Sequence, residues 1–406
     1  MSSLAVLRRP QFRRIFFAGA ASNLGDNIVP VALAFAVLAV THSAVALGVV
    51  LAARLATLAV FALFGGAWAD RLPRRPIMVA SDLVRMVSQG GFALLLLLPA
   101  PALWAMAVLQ AVNGAATAFF RPAASGLLQE AVPADQRQSA NALLSASNNL
   151  FSIIGPAIAA ALIAFAGYSW AFGIDAASFG ISALFLAGVL VPARPPKKRL
   201  GLFREIGEGF SEVVRRRWVG LNILGFALFQ LLALAAFGVL GPVVSVRHYD
   251  GATTWALVAG LSGVGALLGD LVAIRLRPFR PLVVVNLLVF VMLPLLVALG
   301  LAAPLPVLLV AGLLWGFSLS VSNTIWFTTL QHHVPSELMA RVSSLDWMGS
   351  LVLRPIGLAA LPVVAAVAGA GPVLLAVSAI TAVVAVVITL APSVRGVRAD
   401  DPAAVE

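Results

Sequence analysis

Apolar residues in this chain come in runs of about twenty, separated by short polar interruptions. Wound as an α-helix at ~1.5 Å per residue, a run of that length crosses the ~30 Å hydrocarbon core of a bilayer. The pattern predicts twelve spanning helices, near 13–40, 45–69, 76–98, 103–128, 139–166, 170–191, 218–241, 255–274, 281–301, 305–330, 342–368 and 372–391. The alternating segments of about ten residues that a membrane β-barrel needs are absent. The fold class that follows is an all-α polytopic membrane protein.

Composition agrees with the pattern. Apolar residues make up 61% of the chain and charged residues 11%, where soluble domains run near half and a quarter. The charges carry orientation. With both termini inside, all but four of the 27 Lys and Arg residues fall in inner segments or inner helix ends, as the positive-inside rule requires. The four are Arg54, Arg121, Arg247 and Arg354. The net charge of +11 is therefore a topology signal, and dispersal over inner loops argues against nucleic acid as a partner. The first run follows Arg8, Arg9, Arg13 and Arg14 and is too long for a signal-peptide core, so an uncleaved anchor is expected. With zero cysteines there is no disulfide or thiolate metal site. No phosphate-binding Gly-x-x-x-x-Gly-Lys-Ser/Thr loop occurs, so any uphill transport would be driven by an ion gradient or a partner, and no cofactor is implied.

The second and third runs meet at Gly66-Ala-Trp-Ala-Asp70-Arg71-Leu-Pro-Arg74-Arg75, a charge-dense turn in a chain that otherwise avoids charge. It resembles the signature loop of the major facilitator superfamily, with Pro73 in place of the inner glycine. The resemblance extends over most of the chain: Leu7-Arg-Arg-Pro-Gln-Phe-Arg-Arg14, Ser22-Asn-Leu-Gly-Asp26, Phe120-Arg-Pro122, Val132-Pro-Ala-Asp with Ser139-Ala-Asn141, and Asp175-Ala-Ala-Ser-Phe179. Together these segments are similar to the branch of bacterial facilitators that holds enterobactin and macrolide exporters. The resemblance implies two six-helix halves in parallel repeat with the substrate between them near the bilayer midplane. It also implies that the loop acid latches the halves on the inner side. Asp70 would then meet the start of the eleventh helix near Ser343 and Ser344, where free N–H groups favour an anion. The alternative for this loop is a static topology anchor.

An internal repeat points to two halves independently. Leu128-Gln-Glu-Ala-Val-Pro-Ala-Asp135 and Leu330-Gln-His-His-Val-Pro-Ser-Glu337 lie almost half the chain apart, and Gly155 meets Gly357 at the same offset. The divisions expected are 1–191, a cytoplasmic linker 192–217, 218–392, and a cytoplasmic tail 393–406. In the linker Phe203, Ile206, Phe210, Val213 and Val214 recur at helical spacing, which predicts either an interfacial helix at 202–216 or a solvated connection. The second-half counterpart of the signature loop has Ile274 where Asp70 stands, so the acid is confined to the first half.

Charges inside spans are costly, and each requires a partner or a pathway. Depth counting predicts an inner network of Asp70, Arg71, Arg74, Arg75, Asp82, Arg85 and Arg121. Asp26 falls mid-span within Asn23-Leu-Gly25-Asp26-Asn27, a desolvated setting that suits reversible protonation. Arg54 is just within reach of it. Proton coupling, a permanent ion pair and contact with a cationic substrate are the three readings of Asp26. Arg354 could bind an anionic group or neutralise Asp346. Asp175 is expected near water at an outer helix end, and Asp270 is expected to pair with Arg275. Gly155-Pro156 suggests either a bend in the fifth helix or ordinary packing. The cavity candidates are Asn23, Asn27, Asn113, Gln230, Asn323, Trp315, Trp326, Trp347, Asp346 and Arg354, a mixture of amides, aromatics and charge suited to a large amphiphile. His332 and His333 read as solvated surface.

The functional expectation is a non-enzymatic, monomeric secondary transporter of the inner membrane. It would export a drug-like, siderophore-like or other amphiphilic molecule by alternating access, with protons as coupling ion. The rivals are a lipid or lysolipid flippase, an importer of the same fold, and a non-transporting receptor or assembly partner.

Overall fold

The computed structural model describes residues 3–69, 73–190, 211 and 213–399. Asp70, Arg71 and most of the linker at 192–217 lie outside the described residues, as does the end of the tail. Every described element is helical or a connecting turn. The chain divides into two compact units, residues 1–198 and 199–406.

The first unit holds α1 (Pro10–Thr41), α2 (Ala44–Ala69), α3 (Arg74–Leu95), α4 (Leu103–Ala131), α5 (Arg137–Phe165) and α6 (Tyr168–Ala187). Pro10 opens α1 at a position where its missing N–H costs nothing, and His42 closes the helix in the left-handed conformation. In this unit α2 packs on α4, α3 on both α4 and α6, and α1 on α5 and α6. The second unit holds α7 (Arg217–Phe229), α8 (Ala235–His248), α9 (Ala252–Ala273), α10 (Pro281–Gly300), α11 (Leu305–His333), α12 (Ser336–Val352), α13 (Arg354–Ala368), α14 (Ala370–Leu390) and the short α15 (Pro392–Arg395). Here α9 packs on α11, α10 on α11 and α14, α8 on α13, and α7 on α12 and α14.

Among the described residues eleven helices are long and apolar enough to cross a membrane. The expected third span, α3, is not among them, because it buries Ser81, Asp82, Arg85, Ser88 and Gln89 along one face. Two expected spans are not uniform. The seventh is one continuous helical run in which α7 and α8 are joined by a π-helical turn, Gln230–Leu234. The eleventh is divided at Leu353 into α12 and α13, with Pro355 in the first turn of α13, where its missing donor is tolerated.

Glycines set the closest helix approaches. A Cβ at Gly114 of α4 would run into the Arg54 carbonyl of α2, and one at Gly316 of α11 into the Ser262 carbonyl of α9. On the facing helix, Gly265 sits against the Leu313 carbonyl and Gly269 against that of Phe317. Small residues that bring backbones together are the usual means of helix association in lipid, where apolar burial alone supplies no driving force.

Candidate functional site

The first unit is organised around residues 25–27 of α1. Gly25 brings α1 against α6, where a Cβ would collide with the Asp175 carboxylate and Ser178 hydroxyl. On the other flank Gly155 of α5 lies against Asn27. Held from both sides, α1 presents Asp26 to α2 and α3. Arg54 Nη2 of α2 stands 3.8 Å from Asp26 Oδ1, and Arg85 Nη1 of α3 stands 3.6 Å from Asp26 Oδ2. The Asp26 side chain keeps 35% of its surface exposed and that of Arg54 keeps 23%, against 2% for Arg85.

Arg85 is locked. One turn away on the same helix it donates to Asp82, which is fully buried, and its guanidinium lies 4.3 Å and 4.1 Å from the ring centres of Phe120 and Phe179. Arg121 is close enough to interact electrostatically with Asp26, Arg54 and Arg85. Asp82, Arg85 and Arg121 of the expected inner network therefore form one cluster with the expected Asp26–Arg54 pair, joined through Arg85.

The remaining described cations of the expected network, Arg74 and Arg75, do other work. Arg74 passes over Gly126 to pair with Glu130 at 3.0 Å, a partner absent from the sequence-based set. Arg75 donates to the Ala187 carbonyl at the end of α6. Gly66 lies in the last turns of α2, ahead of the residues outside the description.

Beside the charged cluster runs a buried amide relay. Gln110 donates to Gln89 at 2.9 Å, and Gln89 donates to Asp175 Oδ2 at 2.7 Å. Asp175 is fully buried and its other oxygen has no partner among the described residues. This corrects the expectation of a water-accessible outer position: rotation of α6 toward Gly25, not distance from the helix end, decides the environment of Asp175. Asn113 is also fully buried, its side-chain amide without a partner among the described residues, while Asn27 donates to the Asn23 carbonyl of its own helix. α5 runs through Pro156 as one helix, and Gly155 packs against Asn27 of α1.

In the second unit a cavity of about 280 Å³ opens among α7, α10, α11, α12 and α14. Gln230, Asn323, Trp326, Asp346 and Trp347 from the expected set all line it, joined by Asn222, Asn286 and Ser322, which were not anticipated. Trp326 Nε1 donates to Asp346 Oδ2 at 3.1 Å. Trp315 does not line the cavity; it stacks on Phe237 and Phe229 at 5.0 and 5.8 Å. Arg354 forms no ion pair with Asp346 among the described residues; the break at Leu353 separates their helices, and Arg354 approaches Gly238 of α8 instead. Two further corrections follow. Asp270 accepts from Ser320 rather than pairing with Arg275. His333 is buried, its ring nitrogens 3.0 Å and 3.2 Å from the Thr329 and Arg398 carbonyls. No cluster of potential metal ligands occurs among the described residues.

Eleven described helices long and apolar enough to cross a membrane, with buried charge held among them, define the class as a polytopic membrane protein. Residues 15–358 match the profile of the Major Facilitator Superfamily, and the chain belongs to that family. It is similar to the enterobactin exporter EntS of Citrobacter koseri, 27% identical over 395 residues, with 92% of each chain covered. The enterobactin exporter EntS of Escherichia coli O127:H6 is likewise 27% identical over 386 residues, with 90% of this chain and 89% of that one covered. Among solved structures, the nucleoside transporter NupG superposes with a TM-score of 0.79 at 12% identity, covering 93% of this chain and 98% of that one. A D-xylose–proton symporter does so with 0.72 at 13%, covering 95% and 99%. The chain is a secondary transporter of the alternating-access type and not an enzyme, and it is a multi-pass protein of the bacterial inner membrane.

Proposed function

We propose that this protein is a proton-coupled exporter of an amphiphilic small molecule, built as two six-helix halves in parallel repeat with both termini cytoplasmic. The repeat is supported by the helix pairing within each unit. The pairs α2–α4, α3–α6 and α1–α5 of the first unit correspond to α9–α11, α10–α14 and α8–α13 of the second. Export of an amphiphile is supported by the likeness to enterobactin exporters over some nine-tenths of the chain. Asp70 is retained as the gating acid on the resemblance of its loop.

The observation that carries the proposal is Asp26 held between two arginines of unequal freedom. Arg85 has Asp82 and two aromatic faces to stabilise it whatever the state of Asp26. Arg54 has Asp26 alone as an ion-pair partner among the described residues. A proton arriving on Asp26 removes the counter-charge of Arg54 and releases that side chain, while Arg85 stays in place. Protonation is thereby converted into movement on α2 without dismantling the buried part of the cluster.

Asp26→Asn mimics the protonated state and tests this directly. With a compound found by a susceptibility screen of cells with and without the protein, gradient-driven uptake into inverted vesicles should fall to background while binding of that compound is retained. Transport by the variant with an unaltered pH profile would remove Asp26 from coupling.

A further inference from the structure

The cavity in the second unit is lined by five helices, and among the described residues the charge on its lining is of one sign. Among the described residues of the lining Asp346 is the one ionisable side chain. Among the described residues Asp346 has no ion pair, and its side-chain partner is a neutral indole, Trp326 Nε1. Arg354 is turned to Gly238 of α8. Other polar atoms on the lining add acceptor capacity. Among the described residues the side-chain carbonyl oxygen of Gln230 and the Ser322 hydroxyl are buried without partners, and Gln230 stands at the start of the π-helical turn on the cavity wall. Aromatic residues supply much of the rest: Phe226, Phe229, Trp326, Phe327 and Trp347.

A buried carboxylate without a cation carries an uncompensated desolvation cost, and a cationic guest relieves it. Aromatic faces attract the same guest through their quadrupoles. An anionic guest would face the carboxylate with no donor of positive charge among the described residues of the lining. The volume lies at the lower end of the range for small-molecule pockets, which suits one ring and one charged group.

We propose that this cavity binds the quaternary or protonated ammonium end of a lipophilic monocation, with Asp346 as its counter-charge and the surrounding rings as its apolar seat. The assignment rests on the carrier reading only in that a transporter of amphiphiles would meet such ligands, and the site can be tested by binding alone. Neither the family match nor the relatives' names specify a cation or a site within one half.

The probe is labelled benzyltrimethylammonium, with neopentylbenzene as its uncharged isostere, added to full-length protein in nanodiscs of zwitterionic lipid. Binding of the cation should be saturable and weaken at least about tenfold in Asp346→Asn, as expected for loss of a charge contact in a partly desolvated site. It should be restored in part by Asp346→Glu and unchanged in Asp26→Asn. The neutral isostere should bind wild type and Asp346→Asn alike. A second measurement needs no variant: the cation should slow labelling of Asp346 by dicyclohexylcarbodiimide, read by mass spectrometry. Equal cation affinity in wild type and Asp346→Asn, or labelling of Asp346 that saturating cation does not slow, would overturn the site. Loss of binding in Asp26→Asn with Asp346→Asn unaffected would overturn it too, placing the cation in the first unit. Asp346-dependent binding in a protein that moves nothing along a proton gradient would instead sink the carrier reading and leave the site standing.

Discussion

Arg85 carries its charge to a place where water cannot solvate it, and four groups stand in for that water: Asp82, Asp26 and the faces of Phe120 and Phe179. Removing one partner of such a cluster leaves the others buried and uncompensated, which costs about 3–5 kcal/mol. Arg85→Ala should therefore lower the thermal midpoint in detergent sharply, because Asp82 is fully buried and loses its cation. Asp82→Asn should be milder, since Arg85 keeps Asp26. An Arg85→Ala protein as stable as wild type would mean that Asp82 is not charged in the fold. Each of these residues was legible in the sequence, because a charge inside an apolar run announces itself. The Asp82–Arg85 pairing also follows from a spacing of three on one helix. What depth counting could not supply is helix rotation: it put Asp82 level with Arg121 and Arg85 not far from them, but did not turn Arg85 toward Asp26. The same gap misplaced Asp175 and His333, whose burial depends on which neighbour their helix face meets.

At the scale of elements, helix contacts are specified by where a side chain is missing. Gly265 faces the Leu313 carbonyl, and Gly316 faces that of Ser262, so α9 and α11 approach with backbone against side-chain-free backbone. Gly173 of α6, by contrast, has open space where a Cβ would go. Gly265→Val and Gly173→Val thus compare one substitution in two settings within one chain. Overpacking costs about 1–3 kcal/mol, so Gly265→Val should lose monodispersity on heating well before Gly173→Val, measured by fluorescence-detected size exclusion. Equal behaviour would show that the close approach of α9 and α11 is not a stability determinant. Spans were readable from the sequence because length and apolarity suffice to define them. The break at Leu353 had a visible cause in Pro355, but the π-helical turn at Gln230–Leu234 did not, since no proline or glycine lies within it. Gly357 packs against the Leu231 carbonyl inside that turn, a contact between distant segments that periodicity does not report.

Across the whole molecule, the arginines that orient the chain also finish its helices. Arg14 and Arg75 donate to the Gly188 and Ala187 carbonyls at the end of α6, and Arg137 to those of Gln129 and Val132 at the end of α4. Arg216 donates to the His333 carbonyl at the end of α11, and Arg395 to that of Thr389 near the end of α14. Under the proposed topology all four of these helices end on the inner side. Each presents carbonyl groups and the negative end of its dipole to the face where insertion retains Lys and Arg. Orientation and capping are then one arrangement: reversing the chain in the membrane would carry these capping arginines to the outer face along with the helix ends they serve. Alkaline phosphatase, active outside the inner membrane, separates the two orientations when inserted at Ala100 or at Asp135. Activity at Ala100 and silence at Asp135 is the outcome expected with both termini cytoplasmic. The opposite pattern would overturn the orientation and, with it, the assignment of the Arg74–Arg75 loop to the side from which exported substrate enters.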